Sequence, residues 1–228
     1  PVRYAYIEMV LLWIVAILLA LKFSYLFLIF IGISLLLGVF YSLPPVKLKG
    51  KPLLDTLSNG FGYGMINFAV GWLLVRSFDM GMFIRFIPYF LSISAVFINT
   101  TVVDIEGDRK AGEKTTAILL GKQVSFVCST VLMAGAILTA YIMEDLVCLI
   151  PAVLSFPLFI YGAVYSLLKN EQNRKFTIAS FRLPGLLFTL VTVYLFPLYS
   201  IILLVVFFGM RLYYKKRFRI NYPTLAQG

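Results

Sequence analysis

The sequence contains no histidine. No imidazole is therefore available as a catalytic base or as a metal ligand, which excludes the sites that depend on one. Its two cysteines, Cys128 and Cys148, both lie inside apolar runs, where buried inert thiols are more common than a disulfide. Charged residues make up only 13% of the 228 positions, so the places where they cluster are informative.

Apolar residues dominate instead, at 61% of the chain with a mean hydropathy of +0.94. Soluble domains are nearer half apolar, so this composition predicts an all-α, polytopic membrane bundle forming a single domain over residues 1–228. The net charge of +10 does not indicate nucleic-acid binding, because the basic residues lie in short loops rather than on one face. Orientation in a lipid bilayer explains them better.

A transmembrane helix needs about 20 mainly apolar residues. The apolar runs of this chain lie at about 4–21, 24–41, 57–75, 83–103, 123–143, 146–168 and 178–214. The last run would form a helix about 55 Å long, too long for one span, and Pro197 lies near its middle. We therefore predict two short spans turning at Phe196-Pro197, with one span plus an interfacial helix as the alternative.

The basic residues support about eight spans. With eight, only Lys22, Arg76 and Arg85 of the 20 lysines and arginines fall on one side of the membrane. If the last two spans were joined into one, the final five basic residues would fall on the opposite side of the membrane, and the difference in basic residues between the two sides would be smaller. The positive-inside rule thus favours eight spans in the cell membrane, with residues 104–115 facing the cytoplasm.

Residues 100–121 hold four of the ten acidic residues between two apolar runs. Asp104 and Asp108 are four positions apart, so on a helix they share one face about 6 Å apart. Carboxylates at this spacing suit Mg2+ that also binds substrate phosphate oxygens. Arg109, Lys110 and Lys114 follow and can donate to an anionic group. A solvated loop whose acids merely avoid the membrane is the alternative interpretation.

The run at 57–75 is rich in glycine. Small residues allow helices to approach closely in lipid, and we take packing as the preferred explanation. Glycine also leaves room for a ligand, and polar side chains lie on the neighbouring faces of this run: Asn59, Tyr63 and Asn67.

Two stretches resemble a known family. Residues 41–49 read Tyr-Ser-Leu-Pro-Pro-Val-Lys-Leu-Lys, followed by Pro-Leu-Leu at 52–54. They resemble the segment after the fourth helix of the UbiA superfamily of intramembrane prenyltransferases. Residues 104–115 read Asp-Ile-Glu-Gly-Asp-Arg-Lys-Ala-Gly-Glu-Lys-Thr and resemble the second aspartate-rich motif of that superfamily. The resemblance extends over nearly the whole chain, from the position of the family's third helix onward.

The resemblance implies a helical bundle around a central, lipid-accessible cavity and an enzyme that moves an isoprenyl chain from a prenyl diphosphate to an aromatic or lipid acceptor, through ionisation to an allylic cation. Asp104 and Asp108 would hold Mg2+ against the diphosphate, and Arg109, Lys110 and Lys114 would stabilise it.

On the same resemblance, Tyr41, Lys47 and Asn67 are candidates for the cavity wall or the acceptor side. Tyr41 as an interfacial aromatic and Lys47 as a positive-inside charge are the simpler explanations. We expect Glu106 to point to solvent, because it lies off the face shared by the two aspartates.

The sequence departs from the family pattern in three respects. The first motif, Asn-x-x-x-Asp-x-x-x-Asp, is absent, and because the chain opens with Pro1 we expect N-terminal helices carrying that motif to be missing. We accordingly expect residues 1–228 alone to be inactive. The family's usual nine helices would leave seven here, whereas the charge pattern gives eight. Thr100 and Thr101 stand where relatives often have Asn or Asp.

Two other classes of membrane protein compete with this interpretation. An ion-coupled transporter could place Asp104 and Asp108 in its ion path, although paired broken helices in two halves are not evident. A CDP-alcohol phosphotransferase would need a denser Asp-Gly-Ala-Arg-type signature, which is absent. Neither the acceptor nor the length of the prenyl chain can be deduced from these residues.

Overall fold

The computed structural model describes residues 2–220 and is helical, without a strand in that range. It confirms the predicted all-α membrane bundle. The α-helices are α1 (Val2–Ala20), α2 (Tyr25–Ser42), α3 (Leu54–Asn59), α4 (Asn67–Val75), α5 (Met82–Arg85), α6 (Ile87–Lys110), α7 (Thr116–Ile142), α8 (Leu146–Lys169), α9 (Arg174–Leu195) and α10 (Tyr199–Phe218). A 3-10 turn at Leu48–Gly50 precedes α3, and a π-helical segment at Gly60–Ile66 joins α3 to α4.

Local signals in the sequence set several helix ends. Ser24 caps α2 by accepting a hydrogen bond from the Phe27 N–H at 3.2 Å. The helix α2 ends at Ser42, just before Pro44-Pro45, as paired prolines require. Asp145 caps α8 by accepting from the Val147 and Cys148 N–H groups.

Among the residues that the structure describes, five helical stretches are long and apolar enough to cross a membrane: Tyr25–Ser42, Met82–Lys110, Thr116–Ile142, Leu146–Lys169 and Arg174–Leu195. A shorter apolar helix covers Tyr6–Ala20. The predicted run at 57–75 corresponds to the nearly continuous helical path from α3 through the π segment to α4. The predicted run at 83–103 continues to Lys110, so the acidic motif lies on helix rather than in a loop.

The predicted break at Phe196-Pro197 is present, because α9 ends at Leu195 and α10 begins at Tyr199. No residue of α10 is buried, and α10 shares few contacts with α9. The two helices therefore do not pack closely along their lengths, as two antiparallel spans would.

The core is built around α6, which packs against the π segment, α7 and α9, while α8 lies between α7 and α9. Small side chains allow the close approach of α6, α7 and α8, where Ala95, Ala136 and Ala152 are buried against Met133 and Phe159. A Cβ at Gly64 would lie 2.7 Å from the Phe90 Cα, so only glycine lets the π segment pack on α6 here.

Candidate active site

The two motif aspartates lie at the end of α6. Because α6 is continuous to Lys110, Asp104 and Asp108 project from the same face, as predicted. Asp104 is exposed and Asp108 is half-buried, and the two carboxylates lie about one turn apart on α6. Over residues 2–220 no group of three or more His, Cys, Asp or Glu side chains could hold a metal ion. The described residues therefore offer a pair of carboxylates at this end of α6 and no larger cluster of such ligands.

A tight loop, 111–115, follows the motif and turns back on it. Gly112 has φ +72°, a left-handed conformation that glycine adopts without strain, and the Glu113 N–H donates to the Asp108 carbonyl at 2.9 Å. This turn brings the buried Thr115 next to the Asp108 carboxylate. The loop therefore forms one wall beside the acidic pair.

Three basic side chains surround this end of α6. Arg109, Lys110 and Lys114 are exposed. The ion pair found within residues 2–220 joins two other residues, so these three cations have no carboxylate partner in that range. The predicted role of these three side chains in binding an anionic group stays a prediction, with which their exposure is compatible.

A polar pocket of about 320 Å³ lies between α2 and the α3–π–α4 stretch. Tyr41 and Asn67, both predicted as site residues, line it together with Asn59, Gly62 and Tyr63. The Tyr41 hydroxyl faces Asn59 and lies within electrostatic range of Asp108. Neither Asp104 nor Asp108 is among the residues that line the pocket, and Tyr41 is the lining residue on which the Asp108 charge acts. Gly60 and Gly64 pack on α6, which agrees with the preferred explanation for these glycines, and Gly62 lines the pocket.

An apolar pocket of about 210 Å³ adjoins the polar one, because Tyr63 lines both. Its walls come from α6, α8 and α9 and include Ile93, Val96, Phe181 and Phe188. The interior of the bundle thus offers a polar compartment near the aspartates and a hydrophobic one deeper along α6.

Lys47 is not among the residues that line the polar pocket. It lies on the loop 43–53 and forms an ion pair with Glu113, Nζ to Oε1 at 2.6 Å. The Lys114 N–H also donates to the Gly50 carbonyl at 3.2 Å. The loops 43–53 and 111–115 are therefore joined, and Lys47 contributes to that junction.

Sequence reasoning missed one acidic residue of this region, Asp55. Its side chain is fully buried and accepts hydrogen bonds from Thr56 and from Thr116 at the start of α7. The available signal was a lone carboxylate at the start of an apolar stretch of a membrane protein, a position that is a candidate functional site by default.

Comparison with known proteins accounts for the arrangement. A profile of the UbiA prenyltransferase family matches residues 1–184. The chain belongs to this family. The resemblance of the two sequence stretches is thereby confirmed, and α10 lies beyond the matched residues.

Two curated relatives share part of the chain. Digeranylgeranylglyceryl phosphate synthase of Methanobrevibacter smithii is 30% identical over 139 residues, which are 56% of this chain and 47% of that protein. Probable homogentisate phytyltransferase 2, chloroplastic, of Oryza sativa subsp. japonica is 33% identical over 127 residues, covering 50% of this chain and 33% of that protein. The aligned regions thus span about half or less of the length of these relatives.

Solved structures of UbiA homologues from Archaeoglobus fulgidus share the fold. The one bound to GPP and Mg2+ has a TM-score of 0.56 at 21% identity and covers 83% of this chain and 69% of its own. The one bound to DMAPP and Mg2+ also has a TM-score of 0.56, and it covers 83% of this chain and 68% of its own.

Proposed function

We propose that the complete protein transfers an isoprenyl chain from a prenyl diphosphate to a hydrophobic acceptor inside the membrane. The observation that carries this proposal is the position of Asp104 and Asp108. They project from one face of α6, beside basic side chains that have no carboxylate partner within residues 2–220 and near a polar pocket that shares the wall residue Tyr63 with an apolar one. The curated relatives are named as transferases of this kind, and UbiA homologues with the same fold bind GPP or DMAPP with Mg2+.

The donor set fits Mg2+ in chemical type, since Asp104 offers hard carboxylate oxygens without a hydrogen-bond partner in the described chain, and Asp108 lies beside it. Asp104 and Asp108 would hold Mg2+, which neutralises charge on the diphosphate when bound. Two carboxylates are few for this task, and we propose that the missing first motif of the family supplies the remaining acids.

Basic side chains next to the motif would assist departure of the diphosphate. Arg109, Lys110 and Lys114 place three positive charges within ten residues of Asp104. Charge that develops on the leaving oxygens is stabilised by such fixed cations. We propose that this assistance lets the allylic C–O bond ionise.

The apolar pocket would hold the isoprenyl tail. Its walls are aromatic and aliphatic, with Phe181, Phe188 and Met133 among them. Such a compartment keeps water away from an allylic cation, which water would convert to an alcohol. Tyr41 and Asn67 would contact the acceptor from the polar pocket. Lys47, on the loop 43–53, would contact it from outside that pocket.

We propose that the protein lies in the cell membrane and that its site opens to the cytoplasmic side. Residues 1–228 would form one transmembrane unit. The distribution of lysine and arginine supports this orientation. The acceptor would be an aromatic ring or a lipid hydroxyl, the two chemistries that the names of the relatives indicate.

The test uses the product of the complete gene in membranes, with radiolabelled prenyl diphosphates and a panel of aromatic and lipid acceptors. We expect diphosphate release and a prenylated product that require Mg2+ and are lost in Asp108→Asn. The control Glu106→Gln, which changes an exposed acid beside the pair, should retain activity. Full turnover in EDTA, or by Asp108→Asn, would contradict the proposal. Ion-coupled uptake without product would favour the transporter instead.

A further inference from the structure

We propose that Asp55 is a positioning residue. Its buried carboxylate would fix the first turn of α7 and, through it, the loop 111–115 that stands beside Asp104 and Asp108. The effect on catalysis rests on the proposed function, whereas the effect on the loop does not.

Both carboxylate oxygens of Asp55 accept hydrogen bonds from the protein. The side chain has 0% exposure. Oδ1 accepts from the Thr56 N–H at 2.6 Å and from the Thr116 hydroxyl, and Oδ2 accepts from the Thr116 N–H at 2.8 Å. The ion pair present within residues 2–220 does not involve it. These hydrogen bonds therefore compensate the burial of the carboxyl group.

Thr116 extends this contact to a small network between α3 and α7. Its hydroxyl also accepts from the Leu53 N–H at 2.7 Å and from the Thr56 hydroxyl at 3.1 Å. The Asn59 amide donates to the Asp55 carbonyl at 2.8 Å, so the network reaches a residue that lines the polar pocket. The Asp55 carboxylate thus connects the start of α7 with the start of α3, and the Asp55 backbone carbonyl holds Asn59 of the pocket wall.

The position of Thr116 in the chain lets this network hold the loop 111–115. Thr116 comes directly after that loop, and Thr115, the last residue of the loop, lies next to the Asp108 carboxylate. Gly121, at φ +74°, then bends α7, so the turn 116–120 is not simply held by the rest of the helix. The two other contacts of the loop, Lys47 with Glu113 and Lys114 with Gly50, are nearer the surface. Asp55 is the buried anchor of this stretch.

Asp55 is poorly suited to be a further metal ligand. Both carboxylate oxygens are occupied by donors from the protein, and ligation would require these hydrogen bonds to break. A role in positioning accounts for the geometry without such a rearrangement.

The test uses the complete protein in detergent or nanodiscs, with Asp55→Asn, Thr116→Val and Thr116→Ser. The matched control is Thr130→Val on the same helix, because the Thr130 hydroxyl donates to the Phe159 carbonyl of α8 at 3.0 Å, away from the loop. Limited trypsin digestion at Arg109, Lys110 and Lys114 reports the position of the loop. Steady-state kinetics report KM for the prenyl diphosphate and kcat separately.

We expect Asp55→Asn and Thr116→Val to raise the rate of cleavage in the loop several-fold and to raise KM by about tenfold, with a smaller change in kcat. Thr116→Ser keeps the hydroxyl and should behave as the unmodified protein, and Thr130→Val should change neither measurement. Should Asp55→Asn fail to fold, Thr116→Val carries the test.

Unchanged cleavage in Thr116→Val, or equal changes in Thr130→Val, would overturn the proposal. Raised cleavage with an unchanged KM would overturn the part that concerns catalysis. An unmodified protein with no transferase activity would refute the proposed function, while the cleavage measurement would still decide whether Asp55 holds the loop.

Discussion

The acidic residues at this end of the bundle fall into two contrasting groups. Asp55 is fully buried, and its oxygens accept hydrogen bonds from two threonines. Asp104 is exposed and forms no hydrogen bond with residues 2–220, while Asp108 lies half-buried beside it. A buried carboxylate that accepts hydrogen bonds from the protein stabilises the fold, whereas a carboxylate without such bonds is available to a ligand. The following predictions test this distinction.

The largest expected effect is on activity at the open pair. Asp104→Asn and Asp108→Asn should each lower the prenyl transfer rate by about 100-fold or more, because a ligand for the metal is lost. Neither change should lower the free energy of unfolding, since each relieves repulsion between two carboxylates. Activity assays and SDS-induced unfolding check both statements. An equal loss of stability in Asp108→Asn and Asp55→Asn would remove the distinction.

The glycines also divide into one that packs against a neighbouring helix, Gly64, and one with free space around it, Gly71. Gly64→Ala should lower the free energy of unfolding by about 1–3 kcal/mol, because the new methyl group would meet the Phe90 backbone at 2.7 Å. The control Gly71→Ala has open space within 4 Å and should be neutral or slightly stabilising. Unfolding curves of the two variants provide the comparison, and equal destabilisation would count against the packing argument.

A smaller effect on substrate binding is expected at the basic residues that have no carboxylate partner within residues 2–220, such as Lys114. Lys114→Gln should raise KM for the prenyl diphosphate by roughly 3–10-fold, and the difference should shrink at high salt as the charges are screened. Lys216→Gln on α10 removes an exposed cation that lies beyond the family match and serves as the control. Equal effects of the two substitutions would indicate that the basic residues act only through net charge.

The smallest effect concerns the ion pair between the loops. A double-mutant cycle with Lys47→Met and Glu113→Gln should give a coupling of about 1 kcal/mol or less, because the Lys47 side chain is 42% exposed. If Lys47 also contacts substrate, Lys47→Met should reduce activity more than Glu113→Gln does. Equal reductions would restrict Lys47 to joining the loops.

Local patterns in the sequence predicted much of this structure. The spacing of Asp104 and Asp108 placed them on one helical face, and Pro44-Pro45 and Pro197 marked the breaks. Contacts between distant residues could not be deduced in this way. Asp55 and Thr116 are 61 positions apart, and only the packing of α3 against α7 brings them together. The π segment was equally hidden, because its glycines also suit an ordinary helix.

That π segment makes the lining of the polar pocket depend on helical register as well as on residue identity. Its wider turns offset α4 from the rotation that a regular helix beginning at α3 would reach. If the same residues were wound as an ordinary α-helix, every side chain after Ile66 would be turned by roughly 100° around the axis, because a π-helix rotates less per residue than an α-helix. Asn67 would then face a different neighbour from the one it faces beside Asn59, although no lining residue had been replaced. The number of residues in this segment, as well as their identity, therefore decides which side chains of α4 reach the pocket.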